Sequence, residues 1–465
     1  MAGHHVRTAA PAGIERVAPL APAQHSLWFL DQLTGPSAEY VLPYAHRLRG
    51  PLDTAALEGA LNALAERHET LRTRIGQGAD GEPLQTVLRH RPARLRQLDL
   101  SADPARAAGT AARAALRPFD LAGEDPWRTL LIRLGPEDHL LVCSLHHICC
   151  DGLSLEVLGG ELAALYRAVL HGQRPGEALP ALPLQYADTV LDRAARAGSA
   201  AARQALERRR AVLAGAEPLR LSTDRPRPAI RTTRGGRAEV VVPAEVAAAV
   251  RAAAGRHRVT PYMLLLTVFA MLLHRRGAGP DLSIGTPVSG RAGPEEEALI
   301  GLFTNTVVLR LDLSGGGPDP SGRGPDVPGR GPDVPELLRR VRGRALDAYQ
   351  DGHVPFEHVV DELRPPRDLS RTPVFQVMFS FQDFEEDALA LDGLHCTPWD
   401  IPAGSSKFDL ELELGRDGDR LRGFLEYSTD LFEAATARRI ADDYLALLRE
   451  VLDLPTPSSP EEPAR

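Results

Sequence analysis

Four residues within a seven-residue stretch, His146, His147, Asp151 and Gly152, concentrate the chemistry of this sequence. A neutral imidazole is the side chain best matched to taking a proton near neutral pH, once a hydrogen bond at its other ring nitrogen has fixed the tautomer. Adjacent residues at a strand end point to opposite faces, so one histidine is expected to face a cleft while the other packs inward. Asp151 lies close enough in sequence to organise the loop. Gly152 is expected to let the backbone turn tightly and to keep a side chain out of the place where a reacting carbonyl must approach. A helix starting just afterwards adds amide groups and the positive end of a dipole.

The same loop has rival readings. The two histidines and the aspartate also suit a packed turn. His146, His147, Cys149 and Cys150 are all competent metal ligands, but four ligands this close do not converge readily on a tetrahedral centre, and no paired knuckle recurs elsewhere. A thiol nucleophile at Cys149 or Cys150 lacks an identifiable separate base, which leaves these cysteines a role in small apolar packing. There is no Gly-x-Ser-x-Gly elbow, no phosphate-cradling glycine loop and no dinucleotide fingerprint, so serine hydrolysis and nucleotide chemistry drop out.

The elements around the motif read as strand, tight loop, helix. Short apolar strands are expected from Thr129 to Leu134 and from His139 to His146, separated by a turn over residues 135–138. Ser154 is expected to cap a helix with an apolar stripe of Leu155, Leu158, Leu162, Leu165 and Val169, closed by Gly172. Upstream, an amphipathic segment begins at Leu27, and Asp53 suits the cap of a helix carrying Leu57, Leu61 and Leu64. Downstream, a strand at Ala238–Val242, an apolar helix at Pro261–His274 and a strand at Asp281–Pro287 repeat the mixture. The fold class is therefore α/β or α+β.

A chain of 465 residues, 43% hydrophobic, exceeds what one core usually serves, and two lobes are expected, 1–180 and 181–465. The cut rests on the prolines at 175, 180 and 183. A Gly- and Pro-rich insertion near 314–335, in which a seven-residue unit repeats, is expected to be disordered, and Pro455 to Arg465 a loose tail. A net charge of -8 argues against a nucleic-acid partner. No leader-like apolar segment and no membrane-length apolar run occurs, and the unspaced cysteines suit a reducing cytoplasm.

At the histidine motif the chain resembles the condensation domains of nonribosomal peptide synthetases, from about Val17 to about Leu454. Leu20 to Leu33 is similar to the family's first motif, Arg67 to Arg74 to the second, and the histidine motif itself to the third. Tyr186 to Asp188 resembles the start of the fourth, Ile300 to Thr306 the fifth, His353 to Glu357 the sixth and Arg367 to Gln382 the seventh. The departures are Ser26 in place of an arginine, Thr304 where valine is common, and Thr189 in place of an aromatic ending.

The resemblance implies two chloramphenicol acetyltransferase-like lobes in a pseudo-dimer with an active-site tunnel between them. It implies a catalytic His147, with His146, Asp151, Gly152, Arg291 and Asn305 in support. Asp151 would be a brace paired with an arginine, Arg291 being the first choice, while Asn305 and the Gly152 backbone would line the tunnel. No cofactor or metal would be bound by the chain itself. The acyl or aminoacyl donor would arrive on the phosphopantetheine of a separate carrier protein and pass to a small-molecule or second carrier-bound amine or alcohol. The form of Trp28 to Leu33 resembles domains taking L-configured donors. The absence of carrier and adenylation segments suggests a free-standing enzyme. The alternatives are a coenzyme A-dependent acyltransferase, an epimerization domain, or a non-catalytic recruitment domain of the same fold.

Overall fold

Apolar residues at every second position define the strands, and where both faces are covered the alternation closes into a continuous apolar run. The computed structural model describes residues 13–315, 333–385 and 389–455. The first strands in chain order are β1 (Ile14–Pro19), β2 (Val41–Arg49), β3 (Thr73–Gln77), β4 (Pro83–Leu88), β5 (Arg96–Asp99), β6 (Trp127–Gly135) and β7 (Asp138–His146). After them come β8 (Gly235–Val242), β9 (Asp281–Val288), β10 (Asn305–Asp312), β11 (Val377–Glu385), β12 (His395–Pro398), β13 (Leu410–Asp417) and β14 (Arg420–Ser428). The architecture is mixed α/β, in two compact units.

The first unit comprises Met1–Arg203, Ser289–Thr304 and Asp387–Ala403. Its five-stranded sheet runs β12-β2-β7-β6-β5, beside a three-stranded sheet β1-β4-β3. Strand β7 is buried on both faces. Leu141, Cys143 and Leu145 pack under helices Thr54–Arg67 and Gly152–Leu170 through Leu57, Leu61, Leu64, Leu158, Leu162 and Leu165. Leu140 and Val142 pack on the other side against Ala107, Ala111 and Ala115 of a short alanine-rich helix. Asp53 caps the helix Thr54–Arg67 as expected, accepting from the amides of Ala55 and Ala56 at 2.9 Å.

The second unit comprises Gln204–Val288, Asn305–Glu386 and Gly404–Arg465. Its sheet order is β10-β9-β11-β13-β14-β8, with β11 parallel to both neighbours. Helix Pro261–Leu273, capped by Thr260, is apolar on nearly all sides because it lies within that unit's core.

Two expectations need revision. The division does not fall at 180: residues 181–203 belong with the first unit, and two later segments return to it. A proline-rich stretch marks an interruption in regular structure, not a loss of contacts, and Tyr186 and Val190 remain buried against Leu299, Leu302 and Phe303. The insertion also ends earlier than 335, because Val334 and Pro335 already open the helix Val334–Gln350. Residues 316–332 of that insertion, and the tail from 456 onward, lie outside the described residues. Among the described residues no helix is long and apolar enough to cross a membrane.

Candidate active site

Strand β7 delivers His146 to its last position, and the chain then tightens into a single 3-10 turn, His147–Cys149. His146 is 5% exposed. Its Nδ1 accepts from the Ile148 amide at 3.1 Å, and its ring meets the Phe119 edge at 6.0 Å between centroids. His147 is half-buried, with Nδ1 2.8 Å from the Cys150 carbonyl oxygen. A carbonyl only accepts, so Nδ1 of His147 carries the proton and the neutral ring keeps its lone pair on Nε2. The two adjacent histidines are therefore held as opposite tautomers. The Tyr40 carbonyl accepts the His147 amide at 2.7 Å, and Gln24 Nε2 donates to the Ile148 carbonyl at 3.0 Å.

Asp151 is fully buried. Its Oδ1 accepts from the Ser154 amide at 2.9 Å, from Ser154 Oγ at 2.7 Å and from Arg291 Nη2 at 3.0 Å. Its Oδ2 accepts from the amides of Phe303 and Thr304 at 2.9 and 3.0 Å and from Thr304 Oγ1 at 3.3 Å. With both oxygens occupied, the carboxylate has no lone pair left for a substrate proton. It also caps the helix Gly152–Leu170. The cap is thus Asp151 and not Ser154, whose hydroxyl instead bonds the carboxylate and the Gly301 backbone. Both residues are competent caps, and the long-range donors decide between them. Arg291, the expected partner, is buried beside the carboxylate with its guanidinium 4.1 Å from the centre of the Phe303 ring.

Gly152 is an ordinary first helical residue, and no tight turn depends on it. It is exposed, and a Cβ there would meet nothing within 4 Å. Asn305 differs from expectation. It lies in the second unit, where its Nδ2 donates to the carbonyls of Gly352 and Val354 at 2.8 and 2.6 Å and its Oδ1 accepts from the Phe356 amide at 3.0 Å. An amide so fully engaged with backbone braces a loop and has nothing left to line a site with.

The segment Ser289–Thr304 gathers residues from distant parts of the sequence. Thr70 Oγ1 donates to the Ile300 carbonyl at 2.9 Å, and His68, through Nδ1, faces the Ile300 amide at 3.4 Å. The His68 Nε2 lies 2.6 Å from Glu161 Oε2, which Arg67 also reaches. Tyr186 donates to the Leu302 carbonyl at 2.8 Å and meets Phe303 edge-on. A family model described as Condensation domain matches residues 14–462.

The chain belongs to the condensation-domain family. It is 38% identical over 449 residues to the isonitrile lipopeptide synthase of Mycobacterium tuberculosis, covering 93% of this chain and 17% of that one. It is 39% identical over 442 residues to the phosphinothricin tripeptide synthetase PhsC of Streptomyces viridochromogenes, covering 93% of this chain and 39% of that one. The chain spans 3% to 8% of the length of the first four curated relatives it matches. Among solved structures it superposes on the X-domain from teicoplanin biosynthesis with a TM-score of 0.82 and 30% identity, covering 96% of each chain.

In this condensation domain the thiols beside the motif are buried and held in their protonated form. Burial pushes Cys143 up to about 12 and raises Cys149 and Cys150 as well, so a thiolate nucleophile is disfavoured. Among the described residues no group of three or more histidine, cysteine, aspartate or glutamate side chains is placed to hold a metal ion. The residue that sequence reasoning missed is Gln24, 2% exposed, which holds the histidine loop from the first helix. Its local signal is only that of a helix-capping residue, Oε1 accepting from the Ala21 amide at 3.0 Å, beside the equally polar His25 and Ser26, while its loop partner is 124 positions away.

Proposed function

We propose that this condensation domain transfers an acyl or aminoacyl group from the phosphopantetheine thioester of a carrier protein to an amine or alcohol, forming an amide or ester. The observation that carries the reading is the fixed tautomer of His147. The Cys150 carbonyl holds Nδ1–H, and Nε2 offers its lone pair to the nucleophile. As the nucleophile attacks the thioester carbonyl, its proton passes to Nε2. The C–N or C–O bond forms, the C–S bond breaks, and the imidazolium returns the proton to the departing thiolate. Asp151 and Arg291 keep the loop in register without touching the reactants. Arg291 and Gly152 support the site by position, His146 by packing inward. We also place the domain in the cytoplasm, since none of its four cysteines enters a disulfide, as a reducing compartment would have them.

The test is product formation from a carrier-bound donor and an amine, with wild type and His147→Ala compared at matched thermal stability. The expected loss is about 10²- to 10⁴-fold, and equal turnover would refute the assignment. Replacing the carrier-bound donor by its coenzyme A thioester separates the coenzyme A-dependent alternative. A second reading, recruitment of a partner protein, is favoured by the likeness to an X-domain that has been solved in complex with OxyB. It predicts full biological activity in His147→Ala.

A further inference from the structure

A cavity of about 330 Å³ opens in the first unit, lined by Arg72, Arg74, Arg89, Arg91 and Arg94 against only two carboxylates, Glu58 and Asp125. In a chain of net charge -8, such a segregation of cations is out of keeping with the whole. Both carboxylates have other work. Glu58 accepts from the Leu95 amide at 2.8 Å, and Asp125 pairs with Arg74 at 3.3 Å. Arg72 is matched by Glu15 at 2.6 Å. The three arginines of the β4–β5 connection, Arg89, Arg91 and Arg94, are exposed and enter no ion pair with the described residues. Arg91 is folded back against the chain, its Nη2 3.4 Å from where a Cβ on Gly13 would stand. Apolar side chains, Leu61, Leu71, Leu95 and Trp127, complete the lining.

A cavity with an apolar lining and a cluster of uncompensated guanidinium groups suits a ligand with an organic body and an oxyanion carrying more than one charge. Guanidinium forks match the oxygens of phosphate in pairs, and a volume in this range holds a small molecule. We propose that this cavity binds a phosphate-bearing small molecule, with the phosphate on Arg89, Arg91 and Arg94 and the organic portion against Leu61, Leu95 and Trp127. The wall is joined to the histidine loop. Asp125 and Trp127 flank Pro126, whose carbonyl accepts the His146 amide at 2.8 Å and faces Cys149 Sγ at 3.5 Å. The inference stands apart from the catalytic role of His147.

Calorimetric titration with inorganic pyrophosphate and with coenzyme A tests it, using the full chain, Arg89→Gln/Arg91→Gln/Arg94→Gln, and the corresponding triple lysine variant. The three side chains are exposed, and matching thermal melts establish that the variants fold. Wild type is expected to bind saturably, more weakly at higher salt. The triple glutamine variant should lose roughly tenfold or more in affinity, and the triple lysine variant should fall between. Tighter binding of coenzyme A than of pyrophosphate assigns the apolar lining to the organic arm, whereas equal binding assigns the site to phosphate alone. No saturable binding of either probe, or binding unchanged in the glutamine variant, would overturn the proposal.

Discussion

The Asp151 carboxylate receives six donors from four residues, and only one of them, Arg291, brings a charge. Removing the charge while keeping the shape, as in Asp151→Asn, leaves a buried guanidinium without its counterion and turns two accepting oxygens into one. The expected cost is about 3–5 kcal/mol, read as a lower urea midpoint. Because both oxygens of the carboxylate are engaged within the protein, the folded fraction of that variant should keep the wild-type pH–rate profile. A second buried group carries acid sensitivity. His46 is 3% exposed with both ring nitrogens lacking a partner, and burial lowers it from 6.5 to about 4. The unfolded chain therefore binds the extra proton first. Stability should fall as pH drops from about 6.5 to about 4 and then level off, by up to about 3 kcal/mol. His46→Leu should lose that slope, measured as urea midpoints at neutral pH and near the lower end of the window. An unchanged slope would place the acid sensitivity elsewhere.

At the scale of elements, the segment Ser289–Thr304 is the piece whose shape matters most. Gly301 sits under the Tyr186 ring, where a Cβ would come within 2.3 Å of Cδ2 and 2.9 Å of Phe303 Cε2. Gly301→Ala should therefore displace the segment that supplies Arg291, Phe303 and Thr304 to Asp151. The expected destabilisation is about 1–3 kcal/mol, seen in thermal melts, whereas Gly343→Ala, on an exposed helical position where a Cβ meets nothing, should instead stabilise by about 0.5–1 kcal/mol. Local elements were largely legible in the sequence because their signals are local. The Asp53 cap, the β6–β7 hairpin and the histidines at the end of β7 all depend on residues within one turn or one strand. What was not legible depends on distant partners. Ser154 and Asp151 are equally good caps until Phe303 and Thr304 fill the carboxylate. Gln24 reads as a local cap of its own helix until Ile148 shows its second hydrogen bond, and Asn305 reads as a lining residue until the 352–356 backbone claims it.

For the whole molecule, the discontinuity of the first unit makes a direct prediction. A fragment of residues 1–203 keeps most strands of the five-stranded sheet but lacks β12, which pairs with β2. It also lacks Arg291 and the Phe303 and Thr304 amides that neutralise and satisfy Asp151. That fragment should be poorly soluble and show no cooperative unfolding in urea, whereas the full chain should. A sigmoidal transition for the fragment would mean that the returning segments are ornaments of an already complete core. The single cut expected at 180 was unreadable as wrong from sequence, since no local pattern announces that residues 289–304 and 387–403 rejoin the first unit.

The separation between Asp151 and Arg291, 140 positions, has a consequence in time. A ribosome adding about 5–20 residues per second leaves the emerging aspartate without its counterion for roughly 7–28 s, and β2 without its outer neighbour for longer still. Through that interval the nascent first unit exposes an unclosed sheet edge and an unneutralised carboxylate in what will become its interior. Its biogenesis is thus a waiting problem, in which a chaperone that shields the β2 edge until β12 emerges would raise the yield of native protein more than any gain in the stability of the finished fold.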